Sequence, residues 1–224
     1  MSEPATAEDS ALGLLSRPGF ARLLAYRIFA MLSYQVVAVT VGWHIYEVTR
    51  NPFSLGLIGL AEVLPFFCVA PFAGYLVDHL PRRRLGMVAC AGLVATAVVL
   101  TGVATGWLPF QGVWPIYAAI ALTGMVRAFL SPIYNALFAR VLERSQFARG
   151  AGLGSVVFQS GMVVGPALGG ILVGWGGKGL SYGVATAFAV VAMGCLATLK
   201  VSEPVHDGPA APIFKSIAEG ARFV

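Results

Sequence analysis

Six apolar runs, separated by short polar turns, fill the chain at residues 23–48, 55–77, 85–106, 115–138, 150–175 and 180–199. A helix rises 1.5 Å per residue, so roughly 20 apolar residues cross the ~30 Å hydrocarbon layer of a bilayer. Each run is long enough for one crossing. The turns carry their own signals. Asn51-Pro52 breaks the chain between the first two runs, and Trp43 and Tyr46 sit where interfacial aromatics anchor a helix end. The pattern predicts an all-α membrane protein in three parts: a polar, disordered head (1–16), a six-helix bundle (17–200), and a linker with an amphipathic segment (201–224). In that last segment Ile213, Phe214, Ile217, Ala218, Ala221 and Val224 recur at helical spacing.

Charge decides which turns share a side. The stretch GYLVDHLPRRRL, residues 74–85, holds an acid, a histidine, a proline and three consecutive arginines, which cannot lie in hydrocarbon. Placing the head, this turn, the basic turn near Arg140, Arg144 and Arg149, and the tail on one side collects eleven Lys and Arg there. Only Arg50 and Lys178 fall opposite. Loops rich in Lys and Arg stay in the cytoplasm, so both termini are expected there. Composition agrees: 58% of residues are hydrophobic and 11% charged, against about 25% charged in soluble domains. The net charge of +5 sits at helix ends, without the patch or interleaved aromatics that nucleic acid requires. Cys68, Cys90 and Cys195 lie singly in apolar runs, without metal-ligand spacing.

Asp78 at the end of the second run faces the negative end of its helix dipole, and Arg82, Arg83 and Arg84 open the third run against a dipole of the wrong sign. Pairing Asp78 with an arginine or a neighbouring helix start, and anionic headgroups drawn to the arginines, relieve both, with Arg140 on the correct side to reach Asp78; positive-inside anchoring alone explains the arginines but not Asp78. The positions of Gly74, Leu76, Asp78, Arg82, Arg83 and Leu85 resemble the loop between helices 2 and 3 of the major facilitator superfamily. His79 and Pro81 depart from that pattern. The resemblance implies that the chain is the N-terminal six-helix half of such a transporter, built as 3+3 inverted repeats, and that this loop contacts the other half and biases one access state. Within the chain, Pro71, Gly74 and Leu76 echo Pro166, Gly169 and Ile171 at one constant offset. The fifth run carries Gly152, Gly161, Gly165, Pro166, Gly169 and Gly170, which match the antiporter signature of that family's exporters. There it packs between the halves as hinge and seal; ordinary small-residue packing also explains a stripe at every fourth position. The run GWHIYEVTRNPFSLGLIG looks closest to the enterobactin-exporter-like and drug/proton antiporter branch.

Arg127 lies near the middle of the fourth run, where it costs at least about 2.5 kcal/mol and should face a wet cavity or a carboxylate. Its position resembles the fourth-helix arginine of drug/proton antiporters, although Ser131 stands where that motif has glycine. Glu62 is the carboxylate interior to a run, and is either a proton carrier or a fixed partner of Arg127 or Gln35. Tyr34 and Gln35, with Tyr26, are candidates to line a cavity or simply to pack. Arg27 is expected to snorkel to the interface, and His44 carries a weaker signal.

No nucleotide-binding loop, paired histidine ligands or Ser/His/Asp set is visible, so no catalytic residue, metal or cofactor is expected. The reading is proton-coupled export of a small organic molecule (drug, siderophore or metabolite) by alternating access across a bacterial inner membrane. Its partners would be lipid, substrate, protons, and either a missing C-terminal half or a second copy. The alternatives are an uncoupled or uptake carrier, or a non-transporting membrane assembly subunit.

Overall fold

The computed structural model describes residues 11–109 and 112–201. The expected amphipathic tail lies outside the described residues. Helix α1 (Ala11–Ser16) is short and occupies the last part of what was expected to be a disordered head. The reason is burial: Leu14 packs with Phe20, Leu24 and Leu142 in a small apolar cluster at that end of the bundle.

Four long helices follow: α2 (Pro18–Thr49), α3 (Pro52–His79), α4 (Arg82–Ala104) and α5 (Trp114–Val141). Proline opens α2 and α3 and takes one of the first two positions of α5, where its missing N–H would be unsatisfied anyway. The turn between α2 and α3 is built from side chains the sequence supplies. Arg50 adopts the left-handed conformation, with φ 51°, and its N–H reaches the carbonyl of Tyr46. Asn51 Oδ1 then accepts from the Phe53 N–H at 3.0 Å, capping α3.

After a 3-10 turn at Arg144–Gln146 comes α6 (Phe147–Thr198), 52 residues long. It is interrupted at Gly177, whose φ of 71° and ψ of −176° are not helical. Only glycine adopts such angles without strain. Side-chain contacts show that the chain reverses there. Arg17 Nη1 donates to Gln146 Oε1 at 3.1 Å, and Arg22 Nη1 donates to the Thr198 carbonyl at 2.9 Å. The two ends of α6 thus meet the same end of α2, so residues 147–176 and 178–198 form an antiparallel hairpin. Among the described residues five helices are long and apolar enough to cross a membrane, and the last, folded back on itself, has the length for two passes.

Contacts pair α2 with α6, α3 with α5, and α4 with both α5 and α6. Exchanging the first three passes with the last three maps the α2–α6 pair onto α5–α3, which is the arrangement of two inverted three-helix units. Small residues let the backbones approach: an added Cβ on Gly86 would lie 2.7 Å from Leu196, and one on Gly92 would lie 2.4 Å from Val126. Two apolar clusters fill the bundle, one around Leu23, Tyr26, Leu93, Ile133 and Leu196, the other around Val36, Val41, Leu100, Ile120 and Tyr182. Helix α3 stands apart. Over its most apolar stretch only 6% of positions are buried, and Phe53, Leu64 and Phe67 lie exposed.

Candidate functional site: a carboxylate held by three helices

Glu62 on α3, Arg127 on α5 and Tyr34 on α2 meet at mid-length of their helices. Arg127 Nη1 lies 2.8 Å from Glu62 Oε1, and Tyr34 Oη donates to the same oxygen at 2.8 Å. Oε2 accepts from neither. The guanidinium also lies 5.0 Å from the Tyr34 ring centre and 5.5 Å from that of Phe66, within cation–π range. The pair is lopsided: the Glu62 side chain is 14% exposed and that of Arg127 45%. The arginine faces open space while the carboxylate is shielded behind it.

One residue that sequence reasoning missed makes this geometry attainable. Gly124 precedes Arg127 by about one turn, and a Cβ there would stand 2.1 Å from the backbone oxygen of Glu62. Only glycine lets α5 and α3 approach closely enough for their side chains to pair. A mid-helix glycine one turn before an arginine within an apolar run was the available signal.

The other candidates fall elsewhere. Gln35 is buried away from the cluster, its Nε2 donating to Met162 Sδ at 3.3 Å. Arg27 does not snorkel: its guanidinium lies 3.8 Å from the Tyr134 ring centre. Of the glycine stripe, Gly161, Gly165 and Gly169 are buried against α2, where added Cβ atoms would meet Met31 at 2.8 Å, Gln35 at 2.5 Å and Val39 at 3.2 Å. These three glycines form a seam with α2, whose side chains already occupy the space the glycines leave. Gly152 and Gly170 face open space, and Pro166 lies within helical backbone, the break coming later at Gly177.

The turn at 74–85 also differs from expectation. Asp78 and Arg140 are both exposed, and no ion pair joins them. A solvated pair of this kind gains at most about 1 kcal/mol, too little to fix two flexible side chains. Arg83 instead turns to the C-terminus of α6, its Nε donating to the Leu196 carbonyl at 3.0 Å and its Nη2 to that of Ala197. With Arg22 on Thr198, two cations cap three terminal carbonyls, where the helix dipole favours positive charge. Arg82 is half-buried and Arg84 exposed, Gly74 has open space beside it, and Leu76 accepts the N–H of Leu80. His79 stacks on Tyr75 at 4.1 Å. At the opposite end, Lys178 pairs with Glu47 at 2.7 Å, Thr40 bonds Ser181 at 2.6 Å, and His44 meets the Tyr182 hydroxyl at 3.2 Å. These contacts pin the arm after Gly177 to α2.

Two inverted three-helix units packed around a polar cluster at mid-length of their helices define the class as a multi-pass membrane protein. The family model for the Major Facilitator Superfamily matches residues 23–223, and the chain belongs to that superfamily. It is 28% identical over 218 residues to the multidrug efflux pump Tap of Mycobacterium tuberculosis, covering 92% of this chain and 51% of the pump. It is 24% identical over 154 residues to macrolide efflux protein A of Streptococcus pyogenes, covering 68% of this chain and 37% of that protein. The crystal structure of the human organic anion transporter MFSD10 (TETRAN) superposes with a TM-score of 0.72 at 17% identity over 91% of this chain and 52% of that one, a likeness of fold. The chain spans about half the length of these efflux pumps or less. Proteins of this superfamily act within membranes on small molecules, and the relatives are transporters rather than enzymes.

Proposed function

We propose that this chain is the N-terminal half of a proton-driven exporter of small organic molecules, working in a bacterial cytoplasmic membrane with both termini in the cytosol. It performs no chemistry on its substrate and completes its cavity with a second six-helix half or a second copy. The observation that carries the reading is the Glu62 carboxylate, shielded at mid-depth and held by one oxygen to helices α2 and α5. Two efflux proteins among the relatives support the direction of transport.

Ionised, Glu62 ties three helices together and neutralises Arg127. A proton arriving at Oε2 removes the charge that attracts the guanidinium, while Tyr34 can still donate to Oε1. Arg127 is then free to swing into the open space it already faces. Proton entry thus loosens the α3–α5 contact, and proton release on the other side restores it, coupling protonation to which side is open. Arg83 and Arg22 at the end of α6 keep the hairpin attached to α2 and α4 while this happens.

The test uses the full-length gene product in vesicles with an imposed pH gradient and a panel of cationic, neutral and anionic fluorescent compounds. Glu62→Gln should lower gradient-driven efflux at least tenfold yet leave substrate exchange without a gradient within about twofold. Gradient-driven efflux at the wild-type rate in Glu62→Gln would defeat proton coupling. An uncoupled carrier would then be the better account, since Glu62 and Arg127 already form a standing ion pair. No flux of any compound by the wild type would leave a non-transporting subunit.

A further inference from the structure

A second cation lies at membrane depth in the same half, and the Glu62 cluster does not use it. Arg27 stands nine residues into α2, about 14 Å from its start. It has no hydrogen bond or ion pair among the described residues. Its guanidinium lies between two rings, 3.8 Å from the centre of Tyr134 and 5.1 Å from that of Phe158. Cation–π contact offsets burial only in part, and the planar fork of N–H donors remains unspent.

The surroundings form a site. Tyr26, Arg27, Met31, Ser131, Tyr134 and Phe158 line one cavity with about 50 Å³ of free space, more than the roughly 30 Å³ share of a water. The hydroxyls of Tyr26 and Tyr134 are buried without a hydrogen-bond partner, although such groups are almost always satisfied. A Cβ on Gly154 would lie 2.4 Å from the Tyr134 hydroxyl and 3.6 Å from Arg27 Nη1. The glycine thus lets the Tyr134 hydroxyl seat against α6, beside the guanidinium.

The charge balance points the same way. Among the described residues, Arg127 is neutralised by Glu62 and Lys178 by Glu47, while Arg27 has no carboxylate. On α5, Ser131 and Tyr134 follow Arg127 by about one and two turns, so the Arg27 cavity adjoins the cluster on the side of the basic loops.

We infer that Arg27, with Ser131 and Tyr134, binds the anionic head of the substrate, and that the substrates include amphipathic organic acids with a single carboxylate. This rests on the reading of the chain as half of a carrier. The fork of Arg27 matches a carboxylate through two parallel hydrogen bonds, Ser131 supplies a further hydroxyl, and Met31 with Leu130 lies along the apolar body. The free space holds a charged head and not a whole drug-sized molecule, so the body extends into the open part of the cavity.

The test is direct binding to the full-length protein in discs of zwitterionic lipid, with 2-naphthoate and its neutral amide, 2-naphthamide, followed by naphthalene fluorescence. The wild type should bind the acid at least tenfold more tightly than the amide. Arg27→Gln should weaken acid binding at least tenfold and leave amide binding within twofold, which also verifies folding. If that variant fails to fold, Arg27→Lys serves: it keeps the charge, loses the fork, and should weaken acid binding at least threefold without affecting the amide. Gly154→Ala, by displacing the Tyr134 hydroxyl, should act in the same direction. Equal wild-type affinity for acid and amide would overturn the inference. So would undiminished acid binding in Arg27→Gln, or in Arg27→Lys where Gln does not fold, the result expected if a carboxylate elsewhere in the full-length protein already occupies Arg27. Vesicle flux separates this from the export reading. Efflux of cationic or neutral compounds without acid preference sinks the anion site alone; acid-selective binding with no flux sinks export alone.

Discussion

At the scale of single residues, one carboxylate oxygen receives two hydrogen bonds from two other helices, and a glycine backbone makes room for both. Replacing Gly124 with Ala puts a methyl group into the Glu62 carbonyl, an overpacking defect of about 1–3 kcal/mol. Unfolding in mixed detergent should show that loss for Gly124→Ala and none for Gly56→Ala or Gly59→Ala, whose positions on α3 face open space. Tyr34→Phe removes one hydrogen bond to a charged acceptor and should cost about 1.5 kcal/mol, toward the low end for such bonds because the site is partly open. A double-mutant cycle with Glu62→Gln should show strong coupling, because both changes act on one bond. Glu62 and Arg127 were legible in the sequence because charges in apolar runs are costly and must find each other. Gly124 was not, since a glycine gives no sign of which helix it will meet. The Asp78–Arg140 pair was predicted from dipoles alone, and dipoles at exposed helix ends are too weak to choose a partner against water.

At the scale of helices, the fifth and sixth passes show what a pattern can and cannot carry. The apolar runs and Lys178 between them were visible, but the reversal depends on the backbone angles of Gly177, which one glycine among many does not announce. The stripe at Gly161, Gly165 and Gly169 was evident from its spacing, whereas its partner was not, because small-residue spacing marks a close contact without naming the helix in contact. Gly165→Val should therefore separate α2 from α6 and lower the thermal midpoint by several degrees, while Gly170→Val, in open space, should leave it unchanged. Arg83 makes a related point. Its charge read as a lipid or Asp78 contact, but the carbonyls ending α6 offer a stronger site. Hydrogen exchange at residues 196–199 should accelerate in Arg83→Gln and stay at the wild-type rate in Arg84→Gln, whose native side chain is exposed.

At the scale of the whole molecule, the bundle is asymmetric: α2, α4, α5 and α6 share the core, while α3 presents a nearly unburied apolar surface. That surface suits lipid or the second six-helix unit proposed above, and Tap is about twice as long as this chain. The inverted repeat was legible only as a faint echo, since Gly74 faces open space while Gly169 packs on Val36 and Val39; repeats of this kind keep helix placement after their side-chain contacts diverge. Everything proposed for Glu62, Arg127 and Arg27 needs these side chains at membrane depth, with the basic turns on the cytosolic side and the Gly177 reversal outside. Single cysteines at Arg84, Arg149, Trp107 and Trp175, in a protein whose Cys68, Cys90 and Cys195 are replaced, test that threading in whole cells with a membrane-impermeant thiol reagent. The account predicts labelling at positions 107 and 175 in intact cells, and at 84 and 149 only after the membrane is opened. Labelling at position 84 from outside, or protection at 175, would contradict it.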